Sequence, residues 1–283
     1  MPIASINPAN NRLLRTFDPL TEEETRRKIS LAAEAFRTHA TIPLEHRALW
    51  MRKLAAILES ETAELAATIT LEMGKPIHAA QQEVLKCATA CRYYADNAAR
   101  ILAPESIPTG DRVSYVRYDP LGVVLAVMPW NFPFWQVFRF LAPALMSGNT
   151  ALLKHASNVP QCALTIESLV RRAGFPRGVF QTLMIEARHV EHVLFGPLRR
   201  RHGGRLGLHH PAQLEEARER LIVRLELEDP AENVRIEQMP LLARCHPRAH
   251  LARGLHQSLG REDSDRLAVG GGHSGQVPAG GGG

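Results

Sequence analysis

Leu121-Gly122-Val123-Val124-Leu125-Ala126-Val127-Met128-Pro129-Trp130-Asn131-Phe132-Pro133-Phe134 is the stretch whose reading decides the fold. An aliphatic run opened by a Pro-Leu-Gly turn predicts a buried strand over Val123 to Met128. The run breaks at Pro129 and Pro133, which fix two φ angles and remove two backbone donors. The chain therefore leaves the sheet where Trp130 and Asn131 present an indole and an amide, which is how a binding loop at a strand end is built. Taken alone, the same letters also describe an ordinary turn with Trp130 packed in the core.

Beyond this stretch, strands and helices alternate. A helix is predicted over Phe134 to Met146, a turn at Gly148-Asn149 and a strand over Thr150 to Lys154. A second helix over Pro160 to Ala173, a turn at Gly174 and a strand over Gly178 to Ile185 follow. Such alternation predicts an α/β fold, one βαβαβ half of a doubly wound, Rossmann-like parallel sheet. Ligands of such sheets bind beyond the carboxyl ends of the strands, where successive crossovers diverge. Trp130, Asn131 and Lys154 share that rim. No Gly-x-Gly-x-x-Gly fingerprint joins the first of these strands to its helix, and Lys154 alone would equally describe a solvated lysine at a strand end.

Upstream, residues 1 to 20 read as a short extended lead-in with a turn at Asn7 to Asn10. Thr21 and Glu24 have the spacing of a capping box, and Ile29, Ala32, Ala33 and Phe36 give the helix that follows its apolar stripe. A second helix follows Pro43, with Leu44, Ala48, Met51, Leu54 and Leu58 at helical spacing. A third runs from about Glu61 to Met73 and stops at Gly74, with Pro76 just beyond. The fourth covers Ile77 to Leu102, with Val84, Ala88, Cys91, Tyr94 and Ile101 on one face. Cys87 and Cys91 lie one turn apart on it and are expected to be buried small residues rather than metal ligands. Pro104 to Gly110 reads as a loop, Arg112 to Tyr118 as a strand, and Asp119 to Gly122 as the turn into the central stretch. The expected organisation is a helical part over 1–110, a connecting strand and turn over 111–122, the βαβαβ half over 123–194 and an irregular tail over 195–283.

The tail is set apart by composition. Every lysine of the 283-residue chain lies at or before Lys154, whereas fourteen arginines, nine of the thirteen histidines and no lysine lie from Arg188 onward. Phe195 is the last aromatic residue. The net charge of +5 is therefore not a mark of an evolved basic patch. Arg199-Arg200-Arg201 has no aromatic residues beside it to stack bases, so no nucleic-acid partner is expected. His202, His209, His210, Cys245, His246 and His250 have irregular spacing interrupted by proline, so no metal is expected. A shifted reading frame in a GC-rich gene would produce this mixture, including the closing glycine run. The four cysteines form no Cys-x-x-Cys pair and no apolar run approaches the length of a bilayer span, which predicts a soluble cytoplasmic protein with no membrane partner.

From about residue 5 to residue 194 the chain resembles the NAD(P)-dependent aldehyde dehydrogenases. The resemblance rests on Leu71-Glu72-Met73-Gly74-Lys75-Pro76, the Pro129 to Pro133 loop, Gly148-Asn149-Thr150 leading to Leu153-Lys154, and Ala173-Gly174-Phe175-Pro176 with Gly178-Val179-Phe180. The segment Leu152 to Pro160 is similar to the succinate-semialdehyde dehydrogenase branch. The resemblance implies oxidation of a small-molecule aldehyde to the carboxylic acid, NAD or NADP as cofactor, and a homo-oligomer. It assigns Asn131 as a side-chain donor to the reacting oxyanion. Val127, Met128, Pro129, Trp130 and Asn131 become the wall along the cofactor, and Lys154 the contact to the adenosine ribose or its phosphate. Ser157 stands where some members carry an acidic residue that favours NAD; a small hydroxyl leaves room for a 2′-phosphate.

That resemblance ends near Leu194. No Gly-Ser turn, no Leu-Glu-Leu-Gly-Gly and no Gly-Gln-x-Cys follows; Leu225-Glu226-Leu227-Glu228-Asp229 lacks the two glycines, and Cys245 stands in an unrelated context. The expectation is thus a truncated aldehyde dehydrogenase, inactive as written because the nucleophile and base are missing. The alternative is a non-catalytic dinucleotide-binding or oligomerisation fragment.

Overall fold

The computed structural model describes residues 3–108 and 113–195. Leu225 to Asp229, Cys245 and the tail histidines lie outside the described residues. Strand β1 (Ile3–Asn7) pairs antiparallel with β2 (Arg12–Phe17), with a bulge between Ser5 and Ile6. The expected extended lead-in is therefore a hairpin. Side-chain oxygens of Asn7 and Asn10 accept the backbone N–H groups of Ala9 and Arg12 at 2.9 and 3.0 Å, and Asn11 takes a left-handed φ of 56°.

Four helices follow: α1 (Glu22–His39), α2 (Leu44–Ser60), α3 (Thr62–Met73) and α4 (Ile77–Ile101). The capping box forms as expected, with Thr21 Oγ1 accepting from the Glu24 N–H and the Glu24 carboxylate accepting from the Thr21 N–H. Helix α3 ends on Gly74 at φ 74°. Ile29 and Ala32 are buried on α1, but Ala33 and Phe36 are only half-buried; Ala35 and His39 complete the buried face. Two layers press on this helix from different sides, so its buried face departs from a single stripe. Cys87 and Cys91 are fully buried on α4, which packs along α2, α3 and the first crossover helix.

Strand β3 (Glu105–Pro108) pairs antiparallel with β4 (Val113–Val116). The segment read as a loop thus contains a strand. All four β3 residues are exposed, so no apolar alternation announces it. The parallel sheet comprises β5 (Val123–Met128), β6 (Thr150–His155) and β7 (Phe180–Thr182), joined by α5 (Trp135–Met146) and α6 (Pro160–Arg172). A 3₁₀ turn (Ala187–His189) and α7 (Val190–Phe195) close the described chain. Strand β6 is one residue longer than expected. Strand β7 is much shorter, because only Phe180 to Thr182 find partners on β6.

The strand order is β5-β6-β7, so both crossovers step the same way. Right-handed crossovers that step the same way lie on one face. Accordingly α5 and α6 share one core with α2, α3 and α4, whereas α1 and α7 cover the other face against Leu125, Leu152 and Leu183. The divergence of successive crossovers that marks ligand sites in such sheets is not found within the described sheet. Every β6 residue is buried. Helix α1 is tied to the sheet by Thr150 Oγ1 donating to Ala32 O at 3.1 Å and Gln181 Nε2 donating to Lys28 O at 2.8 Å. Among the described residues no helix is long and apolar enough to cross a membrane.

Gly178 sets the closest approach between α1 and the turn into β7. Its φ is 91°, and a Cβ there would stand 2.8 Å from Leu31 O and 2.9 Å from Ala35 Cβ. Gly178→Ala is expected to lower stability by about 1–3 kcal/mol through left-handed strain plus the clash, read as a reduced urea midpoint at unchanged m-value.

Candidate functional site

The rim at the carboxyl ends of β5 and β6 is built from below by two buried carboxylates. Helices α5 and α6 begin without a side-chain cap of their own, which leaves backbone donors that must find partners elsewhere. Glu83 of α4 supplies them for α5, its Oε1 accepting the N–H groups of Phe134 and Trp135, both at 2.9 Å. Glu72 of α3 does the same for α6, accepting from the N–H groups of Gln161 at 2.9 Å and Cys162 at 2.8 Å. A negative charge at a helix N-terminus also meets the positive end of the helix dipole.

Lys75, in the turn between α3 and α4, pairs with the second oxygen of Glu83, and both are buried. Its ammonium also lies 3.6 Å from the centre of the Phe132 ring. One lysine thus neutralises the carboxylate that caps α5 and covers the aromatic residue that precedes it. Lys86 stands 4.3 Å from the Trp135 ring on the same flank.

From the other side the loop is held by His155, the last residue of β6. Its Nε2 lies 2.8 Å from Pro133 O, and its Nδ1 accepts the Ala156 N–H at 2.8 Å. Together these bonds set the Nε2–H tautomer of a neutral ring. Burial lowers the pKa of His155 to about 4. His39, buried beside the carboxyl end of α5 with Nε2 at 3.1 Å from Leu145 O, is likewise lowered to about 4 by burial.

Register brings several of the expected site residues together. Val127 is opposite Lys154 and Met128 opposite His155, so the loop from Pro129 leaves β5 directly beyond the end of β6. Met128 is buried and Val127 is half-buried. Trp130 is half exposed. Asn131 is half-buried, with its Oδ1 enclosed and without a hydrogen-bond partner in the described structure. Lys154 is 5% exposed; its Nζ donates to His155 O at 2.8 Å, and burial lowers its pKa. Ser157 is exposed, two residues past the strand end. No carboxylate stands among residues 128–131 or 154–158.

The described cysteines do not belong to this rim chemistry. Cys87, Cys91 and Cys162 are buried free thiols, and burial raises the pKa of each, so none is a ready thiolate. Lys75, Glu83, Glu72 and His155 were not picked out by reading the sequence. The available signals were a charged residue beside Val84 on the buried face of α4, and Glu72 and Lys75 within the Leu71 to Pro76 segment.

Residues 1–197 match the model of the aldehyde dehydrogenase family. The chain belongs to that family. It is 56% identical over 185 residues to a probable NADP(+) succinate-semialdehyde dehydrogenase of Synechocystis, and 53% identical over 194 residues to an aldehyde dehydrogenase of Paenarthrobacter nicotinovorans. These alignments cover 65% and 67% of this chain but 41% and 42% of the relatives. The chain therefore spans about two fifths of the length of these aldehyde dehydrogenases. Among solved structures it is similar to succinic semialdehyde dehydrogenase from Streptococcus pyogenes in complex with NADP+, with TM-score 0.66, 35% identity, and coverage of 68% of this chain and 42% of that one. The succinate-semialdehyde dehydrogenase from Burkholderia pseudomallei gives TM-score 0.65 at 28% identity, covering 69% and 40%. The α/β fold expected from the sequence and the resemblance to this family both stand.

The two buried histidines make stability depend on acid pH. Their folded pKa values lie below the ordinary histidine value, so the unfolded chain binds more protons between about pH 6.5 and pH 4. Stability is therefore complete above that window and falls as the pH descends through it, by about 1.4 kcal/mol per pH unit for each histidine. Urea midpoints between pH 7 and pH 4.5 are expected to fall accordingly, with about half of that slope removed in His155→Gln.

Proposed function

We propose that this chain carries the dinucleotide-binding rim and one oxyanion donor of an NADP-dependent aldehyde dehydrogenase acting on a short semialdehyde such as succinate semialdehyde. The single observation that carries this reading is the rim itself: the Asn131 amide and Trp130 at the end of one strand and a buried lysine near the end of its neighbour, with no carboxylate among residues 128–131 or 154–158. The relatives named for succinate semialdehyde and NADP(+), and the neighbouring structure holding NADP+, support the choice of substrate and cofactor.

The rim residues fit such a dinucleotide. Lys154 is an ammonium already oriented at the strand end by its bond to His155 O, so a ribose hydroxyl or phosphate oxygen can join the ammonium's remaining donors. Ser157 adds an exposed small hydroxyl, and the lack of a carboxylate over residues 154–158 spares a 2′-phosphate from repulsion there. Pro129 and Trp130, with the backbone at Val127 and Met128, form the wall along it. The dinucleotide, when bound, supplies the hydride acceptor of the reaction.

The Asn131 amide suits an oxyanion because it donates without carrying a charge that would also stabilise a ground-state thiolate. Clamping by Lys75, Glu83 and His155 keeps the loop from relaxing as charge develops on the substrate oxygen. The nucleophile and the base that activates water have no counterpart among the described residues, so this chain is read as a binding rim without turnover. The exposed β3/β4 hairpin is the surface through which copies would associate, and free buried thiols fit a reducing, cytoplasmic setting.

The test is titration of the purified 283-residue chain with NADPH and NADH, followed by protein-to-nicotinamide fluorescence transfer, alongside an assay for aldehyde-dependent reduction of NADP. Saturable NADPH binding is expected, weakened about tenfold or more by Lys154→Ala through loss of a charged hydrogen bond. Turnover is expected to be absent in the chain and in Cys245→Ala alike. Wild-type affinity in Lys154→Ala would sink the assignment of the rim, and turnover lost on replacing Cys245 would sink the inactive reading.

A further inference from the structure

A concavity lies apart from this rim. It runs along the outer edge of β7 between the first half of α1 and the second half of α6, and encloses about 560 Å³. That volume is within the range of small-molecule sites, roughly 300–1,000 Å³. None of the rim residues Val127 to Asn131, Lys154 or Ser157 lines it.

Its charged lining consists of Glu24, Arg27, Lys28, Glu167, Arg171 and Arg177. Both carboxylates already have structural duties. Glu24 closes the capping box on Thr21, and Glu167 Oε2 accepts the Thr182 N–H at 2.8 Å, satisfying a donor on the open strand edge. Lys28 stands 3.8 Å from the other oxygen of Glu167. Arg27, Arg171 and Arg177 are different: all three are exposed, and none of their side chains makes a hydrogen bond or ion pair with the described residues, although the charge of Arg27 helps to lower the pKa of Glu24. Their sequence neighbours show the contrast, since Arg26 pairs with Glu22 and Arg172 with Glu61.

Arg171 gains something from the carboxyl end of α6 and Arg27 from the Glu24 carboxylate one turn earlier on α1, but Arg177, in a turn, has no such reason for its placement. Three guanidinium groups from three separate elements therefore line one groove, none of them held in a side-chain hydrogen bond or ion pair with the described residues. Its floor is apolar, formed by Leu31, Val170 and Phe175. The walls are fixed where Gly178 packs on Leu31 and Ala35, so the groove is present before any ligand arrives.

We propose that this groove binds a polyanionic small molecule, with the guanidinium forks of Arg27, Arg171 and Arg177 on its anionic oxygens and the apolar floor against its carbon skeleton. Planar guanidinium forks match both phosphate and carboxylate oxygens, so phosphorylated and polycarboxylate compounds share the chemistry required. The site is independent of the dinucleotide rim and does not rest on its assignment.

Isothermal titration of the full 283-residue chain with inorganic pyrophosphate and with citrate tests this. Saturable binding of at least one probe is expected, weakening as salt rises and falling about tenfold for each of Arg27→Gln, Arg171→Gln and Arg177→Gln. Binding of pyrophosphate alone would identify a phosphorylated ligand, and of citrate alone a polycarboxylate. The triple variant should fold with a melting temperature only slightly below that of the wild type, because these side chains give up only weak charge interactions; should it not fold, Arg27→Gln and Arg177→Gln carry the test singly. Absence of saturable binding by either probe would overturn the proposal. So would binding that survives the arginine substitutions but disappears in Lys154→Ala, which would place the anion at the dinucleotide rim.

Discussion

The buried Lys75–Glu83 pair is the interaction on which the rim depends. One carboxylate of α4 is asked to satisfy two backbone donors at the start of α5 and to neutralise an ammonium that itself covers Phe132. Taking either partner away would leave a charge uncompensated in the interior, a loss of about 3–5 kcal/mol. The pair is therefore poor evidence of extra stability but good evidence of a specified geometry: the Phe134 and Trp135 N–H groups, the Glu83 carboxylate and the Lys75 ammonium are satisfied together in this one arrangement. His155 fixes the same segment from the strand side.

The same logic is repeated one helix later. Glu72 holds the first turn of α6 as Glu83 holds that of α5, so the layer of α3 and α4 grips both crossover helices at the ends nearest the rim. Apolar packing sets the distance between these layers but has no direction along the helix axis. The carboxylates supply that direction, because each bond to a backbone N–H fixes where a helix begins. Asn149 does comparable work at the opposite end of the sheet, accepting from the Leu121 and Gly122 N–H groups at 2.7 and 3.1 Å and so placing the start of β5.

Much of this architecture is legible in the sequence. Strand β5 and the starts of α2, α4 and α6 follow from apolar periodicity and from Pro43, Pro76 and Pro160, because these signals are local. The β3 strand is not legible, since its pairing with β4 depends on a partner and all of its side chains face solvent. The length of β7 is set by how much of it meets β6, which no local pattern records. Among the site residues, Asn131 and Lys154 stand out through their place at strand ends. Glu83 and Glu72 do not, because a carboxylate on a helix is ordinarily solvated; only tertiary placement turns it into the cap of another helix. His155 is hidden in the same way by lying next to Lys154, the residue that attracts the functional reading.

Amide hydrogen exchange at Phe134 and Trp135 in the wild-type chain and in Glu83→Gln tests the central claim most directly. If Glu83 organises the rim, both amides are protected in the wild type and exchange markedly faster in the variant, while the β6 amides of Leu152 and Leu153 keep their protection. Unchanged protection at Phe134 and Trp135, or a uniform loss across the sheet, would contradict the account.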